Sequence, residues 1–105
     1  MLAINLENVV AELKKLKIPV VYGTARGKLQ PPYFVVRGSG MVSLPADDTL
    51  HWRENTYQIE YYYQLKDEAA EAVIEAAILG NGWIFSRSED VYISDGEMYV
   101  IYYEI

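Results

Sequence analysis

The chain has no cysteine, which excludes disulfides and thiolate metal sites and suits a reducing compartment. It has a single histidine, His51, so neither a histidine cluster nor a histidine pair can be assembled from it. No apolar stretch approaches the ~20 residues needed to cross a bilayer, because charge or glycine interrupts each candidate. Met1–Asn5 lacks a basic segment leading into a long apolar run, so no signal peptide is expected and the cytoplasm of the producing cell is the expected site of synthesis. Positive charge is also scarce. Nine Lys and Arg stand against fifteen Asp and Glu, for a net charge of −6. Affinity for nucleic acid comes largely from neutralising phosphates with a basic stripe, and none is visible here.

What is present is apolar and aromatic. Hydrophobic residues make up 51% of the 105 positions, and ten of them are tyrosine. That length suits one domain spanning residues 1–105, and it buries roughly two thirds of the surface its unfolded chain would expose. Leu6, Val9, Val10, Leu13 and Leu16 recur at helical spacing, with Asn5 placed to cap the start, lysines crowding the end, and Pro19 closing it. Ile18–Tyr22 and Tyr33–Arg37 read as short strands, and residues 24–31 between them as a loop. Residues 39–49 read as a longer loop, introduced by Gly38-Ser39-Gly40 and containing Pro45 and Asp47-Asp48. Tyr57–Leu65 alternates with period two, and Trp52–Asn55 either extends it or forms a hairpin arm. Asp67 caps a second helix whose apolar face is read as Ala70, Val73, Ile74, Ala77 and Ile78, stopped by Gly80-Asn81-Gly82. Closing strands follow, with Asp95-Gly96 as a hairpin turn before Met98–Ile105. The order α-β-β-β-α-β-β predicts an α+β fold, a mostly antiparallel sheet with two helices packed on one face.

Each trace of chemistry is weak. His51 has Asp47 and Asp48 nearby in sequence, but no triad or ligand spacing accompanies it, so it reads as a solvated loop histidine, with a His51/Asp48 site as the lesser alternative. Gly23-Thr-Ala-Arg-Gly-Lys-Leu29 misses the phosphate-loop pattern twice: three residues separate the glycines instead of four, and Leu29 stands where Ser or Thr would reach magnesium. Gly38-Ser39-Gly40 lacks the flanks of a nucleophile elbow. The pairs Asp47-Asp48 and Glu89-Asp90 lack the alternating oxygens and turn glycine of a calcium loop. The expectation is a protein with no catalytic residues, no metal and no cofactor.

The tyrosines divide by strand parity. Tyr57, Tyr61, Tyr63, Tyr99 and Tyr103 fall on the more apolar face and read as core. Tyr62 and Tyr102 fall on the opposite one. If helices cover one face, the other offers aromatic rings, which are favoured at protein interfaces for combining large apolar area with a polar tip.

A family resemblance follows from this layout. An amphipathic N-terminal helix precedes Ile18-Pro-Val-Val-Tyr22 and Pro32-Tyr-Phe-Val-Val36. A loop ending Ala46-Asp47-Asp48 leads to Tyr57-Gln-Ile-Glu-Tyr-Tyr-Tyr63. Lys66-Asp67-Glu68-Ala69 opens the second helix, and Tyr99-Val-Ile-Tyr-Tyr103 closes the chain. The order resembles small tail-completion proteins of long-tailed bacteriophages and prophages, similar in plan to the lambda tail terminator and to tail-to-head joining proteins. The resemblance covers nearly the whole chain and rests on order and spacing, not on a signature motif. It implies a ring, typically of six subunits, that caps the tail tube, stops its growth and docks onto the head connector. The protein would then reside in the virion tail and, during assembly, in the host cytoplasm. DNA would pass through the lumen without specific binding, which an acidic bore suits, and no membrane would be involved. The resemblance places subunit contacts in the loops Thr24–Pro31 and Ser39–Arg53 and so nominates Arg26, Lys28, Arg37, Trp52 and Arg53, beside Tyr62 and Tyr102. The segment from Ser39 to Thr49 is expected to become ordered on assembly. The alternative reading is a small intracellular protein-binding module or regulator that uses the same aromatic face on a different partner.

Overall fold

The computed structural model describes residues 2–23, 29–45 and 51–105; for 41–45 and 51–55 it is the backbone that is described. Helix α1 (Leu6–Lys14) begins where expected, because the Asn5 side chain accepts a hydrogen bond from the Asn8 amide at 2.8 Å. Strand β1 (Val20–Tyr22) follows, then the two longest strands, β2 (Tyr33–Pro45) and β3 (His51–Tyr63). Asp67 caps helix α2 (Glu68–Gly80) by accepting from the Ala70 amide at 3.1 Å. Strands β4 (Ser86–Arg87), β5 (Val91–Ile93) and β6 (Met98–Glu104) complete the chain. A 3-10 turn over Ser94–Gly96, closed by Glu97 in the left-handed conformation, joins the last two.

The fold is α+β, with a six-stranded, mostly antiparallel sheet of order β1-β2-β3-β6-β4, β5 pairing with β6 as well. The exception is β1, which runs parallel to β2. Strands β4 and β5 are two halves of one edge run. Arg87 pairs with Tyr103 but Val91 with Val100, a slip of one residue, so a bulge at Ser88–Asp90 interrupts the run. The order α-β-β-β-α-β-β therefore holds.

Alternation sends Phe34, Val36, Ile59, Tyr61, Ile101 and Tyr103 to one face, where Val9 and Leu13 of α1, Ile74 and Ile78 of α2, and Trp83 pack against them. Full burial of such side chains contributes roughly 1.5–3 kcal/mol each, so this single layer is the main source of stability. The Trp83 indole also donates to the Leu2 carbonyl at 2.7 Å, tying the N-terminal segment to the end of α2.

Several expectations need correction. Residues 39–45 are not loop but the outer half of β2, and β3 begins at His51, so Trp52–Asn55 extends the strand; positions 46–49 lie outside the described residues, as do Asp47 and Asp48. The glycines at 38 and 40 do not break the strand. They flank a bulge at Ser39, where the partner of Gly38 is Tyr57 and that of Gly40 is Thr56, and Gly40 takes φ +153°. Leu65 lies past the end of β3 and is exposed. Val73 points outward, so the buried face of α2 is Glu71, Ile74 and Ile78 rather than the purely apolar stripe. Tyr99 shares the helix side of the sheet but is exposed at the margin, stacked on Tyr63 at 5.5 Å and beside Tyr92.

Candidate assembly surfaces

Three features stand apart from the core: an open sheet face, a two-stranded arm, and a charged clasp at the margin of α2.

The open face carries Tyr33, Val35 and Arg37 from β2, Gln58, Glu60 and Tyr62 from β3, and Val100, Tyr102 and Glu104 from β6, in rows set by the pairing. Neither helix covers it, yet Tyr33, Val35, Glu60 and Val100 are buried within the chain, Gln58, Tyr62 and Tyr102 are partly buried, and only Arg37 and Glu104 of these residues are exposed. Tyr33 stacks on Tyr62 with ring centroids 4.8 Å apart and planes 17° apart. Beneath them Glu60 is buried, at 4% exposure, although it sits on the face away from the core. Its two oxygens have different partners. The Tyr62 hydroxyl donates to Oε1 at 2.6 Å, and Arg37 Nε lies 2.8 Å from Oε2. Burial, and then the bond to the Glu60 carboxylate, hold the Tyr62 phenol well above its ordinary value, so it stays a neutral donor. Because Nε is the atom that meets Glu60, the rest of the Arg37 guanidinium is left directed away from it, and the side chain is half exposed.

The arm is the continuation of β2 and β3 beyond their neighbours. Strand β1 pairs with β2 only as far as Val36, and β6 pairs with β3 from Tyr63 back to Gln58. Past the bulge, β2 and β3 pair with each other from Gly40↔Thr56 to Pro45↔His51, with no third strand on either side among the described residues. The Ser39 hydroxyl bonds that of Thr56 at 2.9 Å at its root. The molecule is accordingly long, 51 × 26 × 23 Å.

The clasp gathers charges that are scattered in sequence. Lys66 Nζ lies 2.9 Å from Glu71 Oε1 and 2.8 Å from Asp90 Oδ2. Arg87 reaches Glu75 Oε2 at 2.6 Å and Glu71 Oε1 at 3.2 Å. Tyr63 donates to Asp90, and Tyr103 to Glu75 at 2.8 Å. The bulge makes this possible: Arg87 and Asp90 are three apart, so a regular strand would point them to opposite faces, whereas here both turn toward α2, with Arg87 Nη2 3.7 Å from Asp90 Oδ1. Glu71 is buried among them. Its Oε2 has no well-angled hydrogen bond, although Lys66 Nζ lies 2.8 Å away. Every carboxylate of the clasp lies within reach of a cation or a phenol, an arrangement that ties α2 to the sheet margin.

The candidate contact residues separate accordingly. Arg37, Tyr62 and Tyr102 come together on the open face, Tyr62 and Tyr102 both half-buried. Trp52 and Arg53 lie on the β3 side of the arm, opposite Leu44 and Ser43. Arg26 and Lys28 lie outside the described residues. His51 is the first residue of β3, not a loop residue. Sequence reasoning assigned no site role to Glu60, Glu71 or Arg87; Asp90 figures there only in the Glu89-Asp90 pair set aside as a calcium loop, and Lys66 only at the opening of the second helix. A glutamate at a strand position flanked by tyrosines, in a chain with an arginine on the neighbouring strand, was the available signal for Glu60; the clasp depends on a bulge that no local pattern announces.

A hollow of about 260 Å³ at the end of the sheet is lined by Ile18, Pro32, Tyr61, Tyr63 and Asp67 among others, and its one carboxylate is already used to cap α2. Among the described residues no group of three or more His, Asp or Glu side chains is arranged to hold a metal, and no helix is long and apolar enough to cross a membrane. No protein-family model matches the chain, and no curated protein sequence matches it.

Proposed function

We propose that the chain is a non-catalytic assembly subunit, a tail-completion protein of a long-tailed phage or prophage. It forms a ring, typically of six copies, at the head-proximal end of the tail tube. There it ends tube polymerisation and joins the tail to the head connector, while DNA passes through the lumen without specific binding. The observation that carries this reading is the arm. A two-stranded ribbon is marginally stable in water on its own, yet here six residue pairs extend beyond the supporting strands. An element of that kind is suited to lie against another subunit. The net charge of −6 agrees with a bore that does not retain DNA.

Native mass spectrometry of the chain, alone and with tail-tube protein, tests the proposal. The expected result is a discrete ring, formed at least on the tube. In a variant with residues 42–54 replaced by a two-residue Asn-Gly turn between the paired Met41 and Asn55, the ring is lost while the circular dichroism of the body is kept. A chain that stays monomeric at high concentration with and without tube protein, or rings that persist without the arm, overturns it.

A further inference from the structure

We propose that the β3 edge of the arm pairs with the outer edge of β1 in a second copy, so that one sheet continues across the subunit boundary. The pairing rests on the reading of the arm as a subunit contact and supplies its seat. The backbone of β1 faces two ways. The Phe34 amide donates to the Pro19 carbonyl at 2.8 Å, and the Gly23 amide donates to the Val36 carbonyl at 2.8 Å, so residues 19, 21 and 23 turn their backbone groups to β2. Successive residues of a strand alternate, so Val20 and Tyr22 turn theirs outward. Among the described residues those amides and carbonyls have no partner, and no strand lies beyond β1. None of the three β1 residues is buried, and Tyr22 is 60% exposed.

The arm offers a matching ladder. Tyr57 exchanges both backbone bonds with Ile105, so its backbone faces the β6 side of β3. By the same alternation His51, Arg53 and Asn55 face that side, beyond the end of the pairing with β6. The other free edges are blunted. On the β2 edge of the arm the outward residues past the bulge are Met41, Ser43 and Pro45, and Pro45 has no N–H to give. The run β4–β5 is broken by its bulge at Ser88–Asp90. Two edges that can take a strand therefore remain among the described residues, that of β1 and the β3 edge of the arm. A two-fold pairing of arm with arm that engages all three outward residues would centre on Arg53 and set it opposite Arg53 of the other copy, and like charges directly opposite are destabilising. Ile18–Tyr22 carries no charge, so the β1 edge meets Arg53 without that cost. At a strand rise of about 3.3 Å per residue, β1 spans roughly 10 Å and the arm roughly 20 Å, so the added strand fits. Joining unlike edges is a head-to-tail contact, which repeats from copy to copy until a ring closes. Each boundary gains few bonds, so the contact is weak singly and holds through ring closure.

Proline substitution on the two edges, read by native mass spectrometry with tail-tube protein, tests the pairing. Tyr22→Pro and Arg53→Pro each remove an outward N–H that the monomer does not use, a change that an edge strand tolerates. Both variants are expected to keep the circular dichroism of the wild type and to lose the ring. Tyr22→Ala and Arg53→Ala keep the N–H and are expected to keep the ring. In the wild-type chain, hydrogen exchange at the Tyr22 and Arg53 amides is expected to slow by about tenfold or more on assembly. If a proline variant does not fold, that exchange measurement decides the question. A ring that withstands either folded proline variant, a ring lost as readily with the alanines, or a Tyr22 amide that exchanges equally fast in free and assembled protein overturns the pairing. A ring that is lost when the arm is replaced by a turn but survives both prolines leaves the assembly reading standing and removes this one. A wild-type chain that stays monomeric with and without tube protein removes both.

Discussion

Glu60 and Glu71 are buried carboxylates on opposite faces of the molecule, and each is held by a cation from another element. An ionised carboxylate out of water costs several kcal/mol unless it is paired, so taking away a partner is worse than taking away the whole pair. Arg37→Ala is therefore expected to destabilise the fold by about 1–3 kcal/mol, the cost of leaving a charged group short of one bond. The double change Arg37→Met with Glu60→Leu should cost markedly less. Urea denaturation of the two variants checks this, and equal losses would show that Glu60 does not depend on Arg37. The tyrosines offer a second test. Burial first, then bonds to carboxylates, raise the phenols of Tyr62, Tyr63 and Tyr103, and burial raises Tyr33 and Tyr61. A pKa raised by folding gives stability that is intact below the unfolded value of about 10 and lost as pH climbs toward the folded values. In an alkaline titration followed by tyrosinate absorbance and circular dichroism, these five should ionise only as the fold is lost. Ionisation of all ten near the ordinary value with the fold intact would contradict the burial described here.

At the scale of elements, the clasp is the feature whose behaviour with pH can be worked out. Lys66 first, then Tyr63, hold the Asp90 carboxyl below its ordinary value, so its contribution is present above about pH 4 and is lost as pH falls through the folded value. Lys66 is raised by Asp90 and Glu71, so its contribution is intact below about pH 10 and fades above it. Both side chains are partly exposed, so the expected size is modest, up to about 1 kcal/mol. Asp90→Asn should flatten the acid limb of the stability curve by that amount and leave stability beyond pH 10 governed by the tyrosines. An unchanged acid limb would show that Asp90 carries no linkage. The contrast with the helix caps explains what sequence could reveal. Asn5 and Asp67 act on amides three residues away, so a local pattern is enough to find them. The clasp joins Lys66 to Asp90 and Arg87 to Glu71 through a one-residue slip in register, which leaves no local trace. The same logic accounts for α2: its apolar residues suggested Val73 as core, but the clasp turns Glu71 inward and rotates Val73 to solvent. Likewise Gly38, Ser39 and Gly40 each favour turns, and only the pairing with Tyr57 and Thr56 makes them a bulge inside a continuing strand.

Over the whole molecule, one strand spans two environments. From Gln58 to Tyr62, β3 has β2 on one side and β6 on the other; from His51 to Thr56 it has β2 alone among the described residues. Amides bonded within a sheet that is flanked on both sides open with the global unfolding of the body, while a ribbon without flanking strands opens by local events of much lower free energy. Hydrogen exchange along β3 should therefore step down sharply between Tyr57 and Thr56, where Tyr57 is still tied to Ile105 by paired backbone bonds. If the arm seats on another subunit, the step should disappear in the assembled state, because new partners protect His51–Thr56 and Gly40–Pro45 while the body is already at its limit. The free and assembled proteins measured side by side distinguish the cases. A step that persists unchanged on assembly would mean that the arm is not a subunit contact.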